Sequence, residues 1–243
     1  MADEGRAWAR MSRAGTILRT RAEAGLPERG VILTFDDGPN PRDRITERLL
    51  DALAAGKVRA AFCLVGRQAR DAPGTVRRMA AEGHLIVNHT YSHGPRWLFS
   101  ARALERQIDL FDRAVAEALG EPGWRSRHFR PPWGLLTPPA RSVIARRRLR
   151  LVPVTDYAWD AGAGPNRCGA VTERILAAAR RQDGGIFVIH DGRHRLLPWP
   201  GFLCARAGSG YNRSWVPDQV AVLIDRLGEE GFVLLDPHIL DGD

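Results

Sequence analysis

Two short motifs in this chain of 243 residues hold side chains suited to chemistry. Asp36 and Asp37 stand next to each other at the end of an apolar run, and His89 and His93 follow further along the chain. One carboxylate and two imidazoles form the ligand set of an open, hydrolytic metal site, and a second carboxylate is suited to act as a general base. The two motifs together therefore predict a metal-assisted hydrolase.

Each motif also has a structural interpretation. Gly38 and Pro39 follow the two carboxylates and predict a sharp turn with one carboxylate on each side, but a lone Asp at such a turn could simply cap the next helix. In a helical turn, His89 and His93 would share one face because they lie four positions apart, but two partly buried structural histidines would fit the same spacing. The presence of both motifs in one chain favours the metal site.

Two further segments carry candidate catalytic groups. Pro131 and Pro132 hold the backbone stiffly, so that Arg130 could point at a carboxylate and the Trp133 N–H could donate to an oxyanion. A rigid loop without chemistry is the alternative for this segment. His190 leaves an apolar strand, and an imidazole with a pKa near neutrality is suited to general acid catalysis, whereas a buried histidine bonded to the backbone is the structural alternative.

Apolar runs of strand length alternate with segments of helical periodicity along the chain. Strict alternation predicts a parallel sheet, open or closed into a barrel, with chemistry gathered at the carboxyl ends of the strands. The predicted strands are 31–35, 60–65, 84–88, 128–130, 149–155, 185–190 and 231–235, and the predicted helices are 43–55, 68–82, 101–119, 138–147, 171–182 and 217–230. The candidate side chains at the strand ends are Asp36, Asp37, His89, Arg130, Asp156, His190 and Asp191.

The composition limits the classes of partner. The net charge of +8 comes almost wholly from arginine, since Lys57 is the only lysine. The arginines are scattered over predicted helix faces, and the densest group, Arg146 to Arg148, is short and has no interleaved aromatic residues. No nucleic-acid partner is therefore expected, while an anionic substrate fits the charge. The three cysteines are far apart and lack metal-binding spacing, and Cys63 lies in an apolar run, which predicts a buried thiol.

The remaining segments give expectations about location and organisation. Residues 1–29 contain no uninterrupted apolar stretch of signal-peptide length, and no segment approaches the ~20 apolar residues of a membrane helix, which predicts a cytoplasmic protein without a membrane span. Residues 1–29 are expected to form a helix or a mobile arm before a single domain over 30–243. The long irregular segment 192–216 is predicted to be an ordered loop whose aromatic rings stack on sugars: Trp199, Phe202, Tyr211 and Trp215.

From Gly30 to Asp236 the chain resembles the polysaccharide deacetylases with a NodB-homology domain, carbohydrate esterase family 4. The resemblance rests on the segments 33–39 and 83–93, which hold the two motifs described above. It implies a distorted (β/α)7 barrel in a single domain. It also implies a divalent metal, most often zinc with cobalt, nickel or manganese as alternatives, that serves to remove acetyl groups from sugars.

The resemblance further implies a role for each candidate residue. The metal ligands would be Asp37, His89 and His93, and the base would be Asp36, held ionised by Arg130, with the Trp133 N–H at the oxyanion and His190 as the acid. The family usually has tyrosine at the position of Trp133. It also has an Asp-Trp pair whose carboxylate tunes the catalytic histidine, whereas this chain has Trp159 before Asp160, so that either Asp156 or Asp160 could supply that carboxylate.

These observations predict a metal-dependent N-deacetylase that acts on an amino sugar. Without an export signal, the expected substrate is a cytoplasmic small glycoside, a lipid-linked sugar or a natural-product sugar. One alternative is an amidohydrolase for another C–N bond, in a formamido sugar or a cyclic ureide. Another is a carbohydrate-binding domain with an inactive site. The sequence leaves the oligomeric state open.

Overall fold

The fold is a curled parallel sheet surrounded by helices. The computed structural model describes residues 15–192 and 209–242, without the side chain of Leu98. The strands are β1 (Gly30–Asp36), β2 (Ala61–Leu64), β3 (Leu85–Asn88), β4 (His128–Phe129), β5 (Arg150–Leu151), β6 (Asp156–Tyr157), β7 (Gly184–His190) and β8 (Val233–Leu234).

Seven strands follow one path in the order β5-β4-β3-β2-β1-β7-β6, and β8 pairs with the first two residues of β1. All of these pairings are parallel, and the predicted (β/α)7 barrel class is confirmed. The predicted strand 149–155 is wrong in its extent, because β5 ends at Leu151 and a separate strand, β6, begins at Asp156. Pro153 lies in the gap and has no N–H to donate to a neighbouring strand.

The helices fill the connections between strands. Two predicted helices, 101–119 and 138–147, have the predicted bounds, whereas the predicted helix 68–82 is divided in two. Pro73 causes the division, because proline disfavours a helical conformation at the residue before it, Ala72, and cannot donate the next helical hydrogen bond. The α-helices are α1 (Ile45–Ala55), α2 (Gly66–Asp71), α3 (Pro73–Ala81), α4 (Ala101–Leu119), α5 (Pro138–Arg147), α6 (Cys168–Gln182) and α7 (Val216–Glu229).

The two longest strands lie together in the middle of the sheet. All seven residues of β1 and the first six of β7 are buried. The two strands pair along their whole length, and the register places Asp36 opposite His190. The central strands therefore bring two candidate catalytic side chains to the same edge of the sheet.

The described part of the amino-terminal segment differs from the expected helix or mobile arm. Residues 15–29 form turns and two isolated bridges, Thr16 to Leu135 and Leu18 to Val154. Ile17 is buried against the core, and its N–H donates to the Gly134 carbonyl at 3.0 Å. The residues around Ile17 and Leu18 are therefore extended and pack beside the linker between β5 and β6. In the ranges that the structure covers, none of the helices is long and apolar enough to span a bilayer.

Candidate functional site

The Asp36-Asp37 pair forms the end of β1 and the start of a tight turn. Asp37 has a left-handed backbone with φ of 72°, and the Gly38–Pro39 peptide bond is cis. Both carboxylates are buried, at 5% and 6% exposure. The chain just after β7 packs directly on this turn: a Cβ atom at Gly192 would lie 2.0 Å from the Asp37 carbonyl oxygen. Only glycine at position 192 permits this contact.

Asp191 contacts the same turn but does not line the cavity into which Asp36 and Asp37 open. Its carboxylate is completely buried, accepts a hydrogen bond from the Thr46 hydroxyl and packs against the backbone of Gly38. The Asn40 side-chain amide donates to the Asp191 carbonyl at 2.9 Å. Asp191 therefore supports the turn that carries the two carboxylates.

His89 and His93 lie in a loop after β3, not in the predicted helical turn. The prediction of a helix was wrong because Thr90 and His93 have left-handed backbones, with φ of 67° and 51°. Side chains fix this loop: the Thr90 N–H donates to Asn88 Oδ1 at 2.9 Å, and the His93 N–H donates to Thr90 Oγ1 at 3.1 Å. The loop nevertheless brings the two imidazole rings together, with centroids 5.0 Å apart.

Asp37, His89 and His93 converge on one point. Their candidate ligand atoms all lie within 4.8 Å of one another, and Asp37 Oδ1 is 3.7 Å from His89 Nε2 and 3.3 Å from His93 Nε2. His89 Nδ1 lies 2.7 Å from the Arg130 carbonyl, which can only accept, so Nδ1 carries a proton and Nε2 is the nitrogen that faces Asp37. This buried set of one carboxylate and two imidazoles fits a divalent transition metal.

Arg130 makes a buried ion pair with Asp36. Its Nη1 donates to Asp36 Oδ1 at 2.7 Å and to Thr34 Oγ1 at 2.6 Å, and its side chain is 1% exposed. Burial raises the pKa of Asp36, but the charge of Arg130 opposes this effect, and the pKa lies below the usual range of an aspartate. Asp36 is therefore an ionised carboxylate beside the candidate metal ligands.

His190 ends β7 next to Asp36 and is held by Asp160. The Asp160 carboxylate is 2.9 Å from His190 Nδ1 and accepts the His190 backbone N–H at 2.7 Å. Burial alone would lower the pKa of His190, but the Asp160 charge and hydrogen bond raise it to about 9. Burial also raises the pKa of Asp160, but His190 and Arg213 outweigh it and hold the value at about 2. The imidazole is therefore protonated at neutral pH.

Of the two carboxylates between which the sequence left a choice, Asp160 contacts His190 and Asp156 does not. The Asp156 carboxylate bonds instead to Arg181 and, at 3.4 Å, to the Gln182 side chain. Asp160 has a second buried partner that sequence reasoning missed, since Arg213 Nη1 donates to the Asp160 carbonyl at 2.9 Å. No spacing or motif in the sequence connects Arg213 to this site.

The sequence of this chain matches the profile of the family described as polysaccharide deacetylase over residues 23–152, more than half of its length. The chain belongs to the polysaccharide deacetylase family. It is 36% identical to a chitooligosaccharide deacetylase of Sinorhizobium fredii (strain NBRC 101917 / NGR234) over 177 residues, which are 72% of this chain and 78% of that protein. It is 30% identical to the peptidoglycan-N-acetylglucosamine deacetylase PgdA of Listeria monocytogenes over 162 residues, which are 66% of this chain and 32% of that protein.

Solved structures agree with this assignment at the level of the fold. The chitin deacetylase of Colletotrichum lindemuthianum superposes with a TM-score of 0.73 at 22% identity and covers 93% of this chain and 91% of its own. A family 4 acetyl xylan esterase of Clostridium thermocellum, in complex with a cobalt ion, gives 0.67 at 24% identity and covers 87% of this chain and 89% of its own. The solved structures support the fold, whereas the family and the 36% identical relative confirm the predicted enzyme class, a carbohydrate N-deacetylase.

The candidate site of this polysaccharide deacetylase lies in a cavity of about 700 Å³. Trp133 forms part of the rim: it is 39% exposed, its ring meets His93 edge-on at 4.8 Å, and it stacks on Trp97 at 6.2 Å. Thr16 and Ile17 of the amino-terminal segment also line the cavity, which no pattern in the sequence predicted.

The segment 192–216 of the deacetylase is described from residue 209 onward and at residue 192. Trp199 and Phe202 lie outside the described residues. Tyr211 lines the catalytic cavity, and its contact with a sugar stays a prediction. The expectation for Trp215 was wrong, because its side chain is 5% exposed and packs in the core against α7 and its neighbours.

Proposed function

We propose that this chain is a metal-dependent hydrolase that removes the N-acetyl group from an amino sugar in a short oligosaccharide or glycoconjugate. The observation that carries the proposal is the convergence of the Asp37, His89 and His93 ligand atoms within 4.8 Å of one another, next to an ionised Asp36. The named activities of the two relatives support N-acetylglucosamine as the sugar. The cytoplasmic location stays a prediction, which fractionation of the producing cells would test.

In this proposal the residues divide the reaction between them. Asp37, His89 and His93 would hold a divalent ion, with zinc as the first expectation, and this ion would supply Lewis acidity toward water and the acyl carbonyl. Asp36 takes the proton of the attacking water at its carboxylate, and Arg130 keeps that carboxylate ionised and oriented.

Two further groups act on the carbonyl oxygen and on the leaving nitrogen of the scissile amide. The Trp133 N–H is the first backbone donor after Pro131 and Pro132 and donates to the carbonyl oxygen as negative charge develops there. His190 donates a proton from Nε2 to the leaving nitrogen, since Asp160 occupies its Nδ1 side. Loss of acetate leaves a free amine on the sugar.

The Asp160–His190 pair predicts a shift in the pH profile. Asp160→Asn removes the charge that raises the pKa of His190 to about 9, so the acid loses its proton at lower pH and the alkaline limb of kcat should move down by about one unit or more. Asp156→Asn is the matched control, because its carboxylate bonds to Arg181, and it should leave the alkaline limb in place. If the alkaline limb of Asp160→Asn stayed at the wild-type pH, His190 would not be the general acid.

Acetate release from a panel of N-acetylated substrates tests the proposed function. The panel contains chitooligomers, N-acetylglucosamine, its nucleotide-linked form and simple glycosides, each offered to chelated protein and to protein restored with zinc, cobalt, nickel or manganese. We expect metal-dependent acetate from at least the short oligomers. Formate or ureide hydrolysis in place of acetate would favour the other C–N hydrolases, and saccharide binding without any hydrolysis would favour an inactive binding domain.

A further inference from the structure

A second cavity, of about 660 Å³, opens beside the catalytic cavity. The two cavities share Tyr157 and Trp159 among their lining residues. Trp159 is 73% exposed and directly precedes Asp160, the partner of His190. A substrate whose reacting sugar occupies the catalytic cavity can therefore extend past the Trp159 ring into the second cavity, and such rings are good platforms for sugar faces.

The second cavity has an excess of positive charge. Three arginines line it, Arg19, Arg21 and Arg181, together with one carboxylate, that of Asp156. Asp156 forms an ion pair with Arg181, so these two charges offset each other. Within the described ranges, Arg19 and Arg21 have no carboxylate partner within ion-pair distance, so the described lining of the cavity does not offset their two positive charges.

Backbone carbonyls hold both guanidinium groups in place. Arg19 Nη1 donates to the carbonyls of Thr16 at 3.2 Å and Leu18 at 2.8 Å. Arg21 donates through Nη1 to the Leu26 carbonyl at 2.6 Å and through Nε to the Gln182 carbonyl at 3.3 Å. Carbonyls orient a guanidinium without neutralising it, and a guanidinium has five N–H donors, so both arginines keep donors for a ligand. Because their side chains are already ordered, binding costs less entropy.

We propose that this second cavity binds an anionic group, a carboxylate or a phosphate, that the substrate carries next to its N-acetylated sugar. The inference rests on the proposed function and narrows its substrate class from neutral oligosaccharides to acidic glycoconjugates. Arg19 and Arg21 would bind the anion, and Trp159 would contact the sugar between the two sites. Two of the arginines that give the chain its positive net charge are thereby assigned a binding role.

The kinetic test compares three N-acetylglucosamine substrates: a neutral chitooligomer, a sugar phosphate or nucleotide-linked form, and an oligosaccharide with a carboxylate on the neighbouring sugar. For wild-type protein at low salt, we expect KM to be about tenfold lower for at least one anionic substrate, and the phosphate and carboxylate arms show which anion is preferred. In Arg19→Gln, the KM for that substrate should rise about fivefold while its kcat stays the same. The KM and kcat for the neutral substrate should also stay the same.

Three further variants separate a specific anion site from effects on folding or on overall charge. Arg226→Gln removes a remote arginine that pairs with Glu173, and it should leave all three KM values unchanged. Arg21 also connects the amino-terminal segment to Gln182, so Arg21→Gln is interpreted only if its thermal unfolding midpoint matches that of wild type. Arg19→Lys keeps the charge and should restore most of the preference.

A binding measurement keeps the inference testable if no substrate is turned over. Calorimetric titration of chelated protein with glucosamine 1-phosphate should give binding that weakens about fivefold in Arg19→Gln and at high salt. Equal KM values for neutral and anionic substrates in wild type, together with equal phosphate binding by wild type and Arg19→Gln, would overturn the anion site. Absence of acetate release with arginine-dependent phosphate binding would instead count against the proposed function.

Discussion

Asp36→Asn should lower kcat by about 10²- to 10⁴-fold, the range of a lost general base, while bound metal stays stoichiometric. The amide is isosteric with the carboxylate but cannot take a proton from water, and the three candidate ligands Asp37, His89 and His93 are untouched. Acetate release gives the turnover, and elemental analysis gives the metal content of the same preparation. Loss of activity without loss of metal separates the base from the ligands.

An exposed ion pair provides a control for the removal of a carboxylate that bonds to an arginine. Asp236→Asn also removes a carboxylate bonded to an arginine, Arg59, at 2.7 Å, and Arg59 precedes β2 at the opposite edge of the sheet from the catalytic cavity. It should keep wild-type turnover. Undiminished turnover in Asp36→Asn would remove this residue as the base, and lost metal would mean that Asp36 is itself a ligand.

His93→Ala should lose the metal. A site with three protein ligands that keeps only Asp37 and His89 should bind a divalent ion more than about 100-fold more weakly, since removal of a mere supporting partner already costs 10- to 100-fold. Elemental analysis after dialysis should find metal in wild type and almost none in the variant. Zinc should also raise the thermal unfolding midpoint of chelated wild type, because a ligand of the folded state stabilises it, and should leave that of the variant unchanged.

The control for this variant is another buried histidine. His128 is 2% exposed and lies at the start of β4, 3.3 Å from the Asp241 carboxylate and away from the candidate ligands. His128→Ala should therefore retain stoichiometric metal even if its stability falls. A His93→Ala protein with full metal content would refute His93 as a ligand.

The family and the chemistry of the site are predictable from the sequence because they depend on residue types and order. Alternating apolar runs predict a parallel sheet, and the carboxyl ends of parallel strands meet at one edge. Side chains that follow those strands, such as Asp36, His89 and His190, must therefore approach one another. The positions of the strands and helices can be predicted from local patterns of apolar residues. Helix α4, for example, has regular apolar spacing and the predicted bounds.

The backbone conformation of the loop that carries His89 and His93 was not predictable from the sequence, since their spacing indicated a helical turn. Two side-chain hydrogen bonds and two left-handed residues instead define a loop. A short polar segment can bring two side chains together through several different backbone conformations. Spacing alone therefore indicates that two imidazoles can meet but not which backbone brings them together.

Residue types and their order were enough to predict the candidate reactive groups, the barrel that brings them together and the enzyme class. The folded chain was needed to show that Asp160 and not Asp156 contacts His190, that Arg213 bonds to Asp160, that Trp215 is buried, and that Ile17 lines the catalytic cavity. Each of these depends on contacts between segments far apart in the chain. Such contacts are set by how the whole core packs, and no local pattern of residue types encodes them.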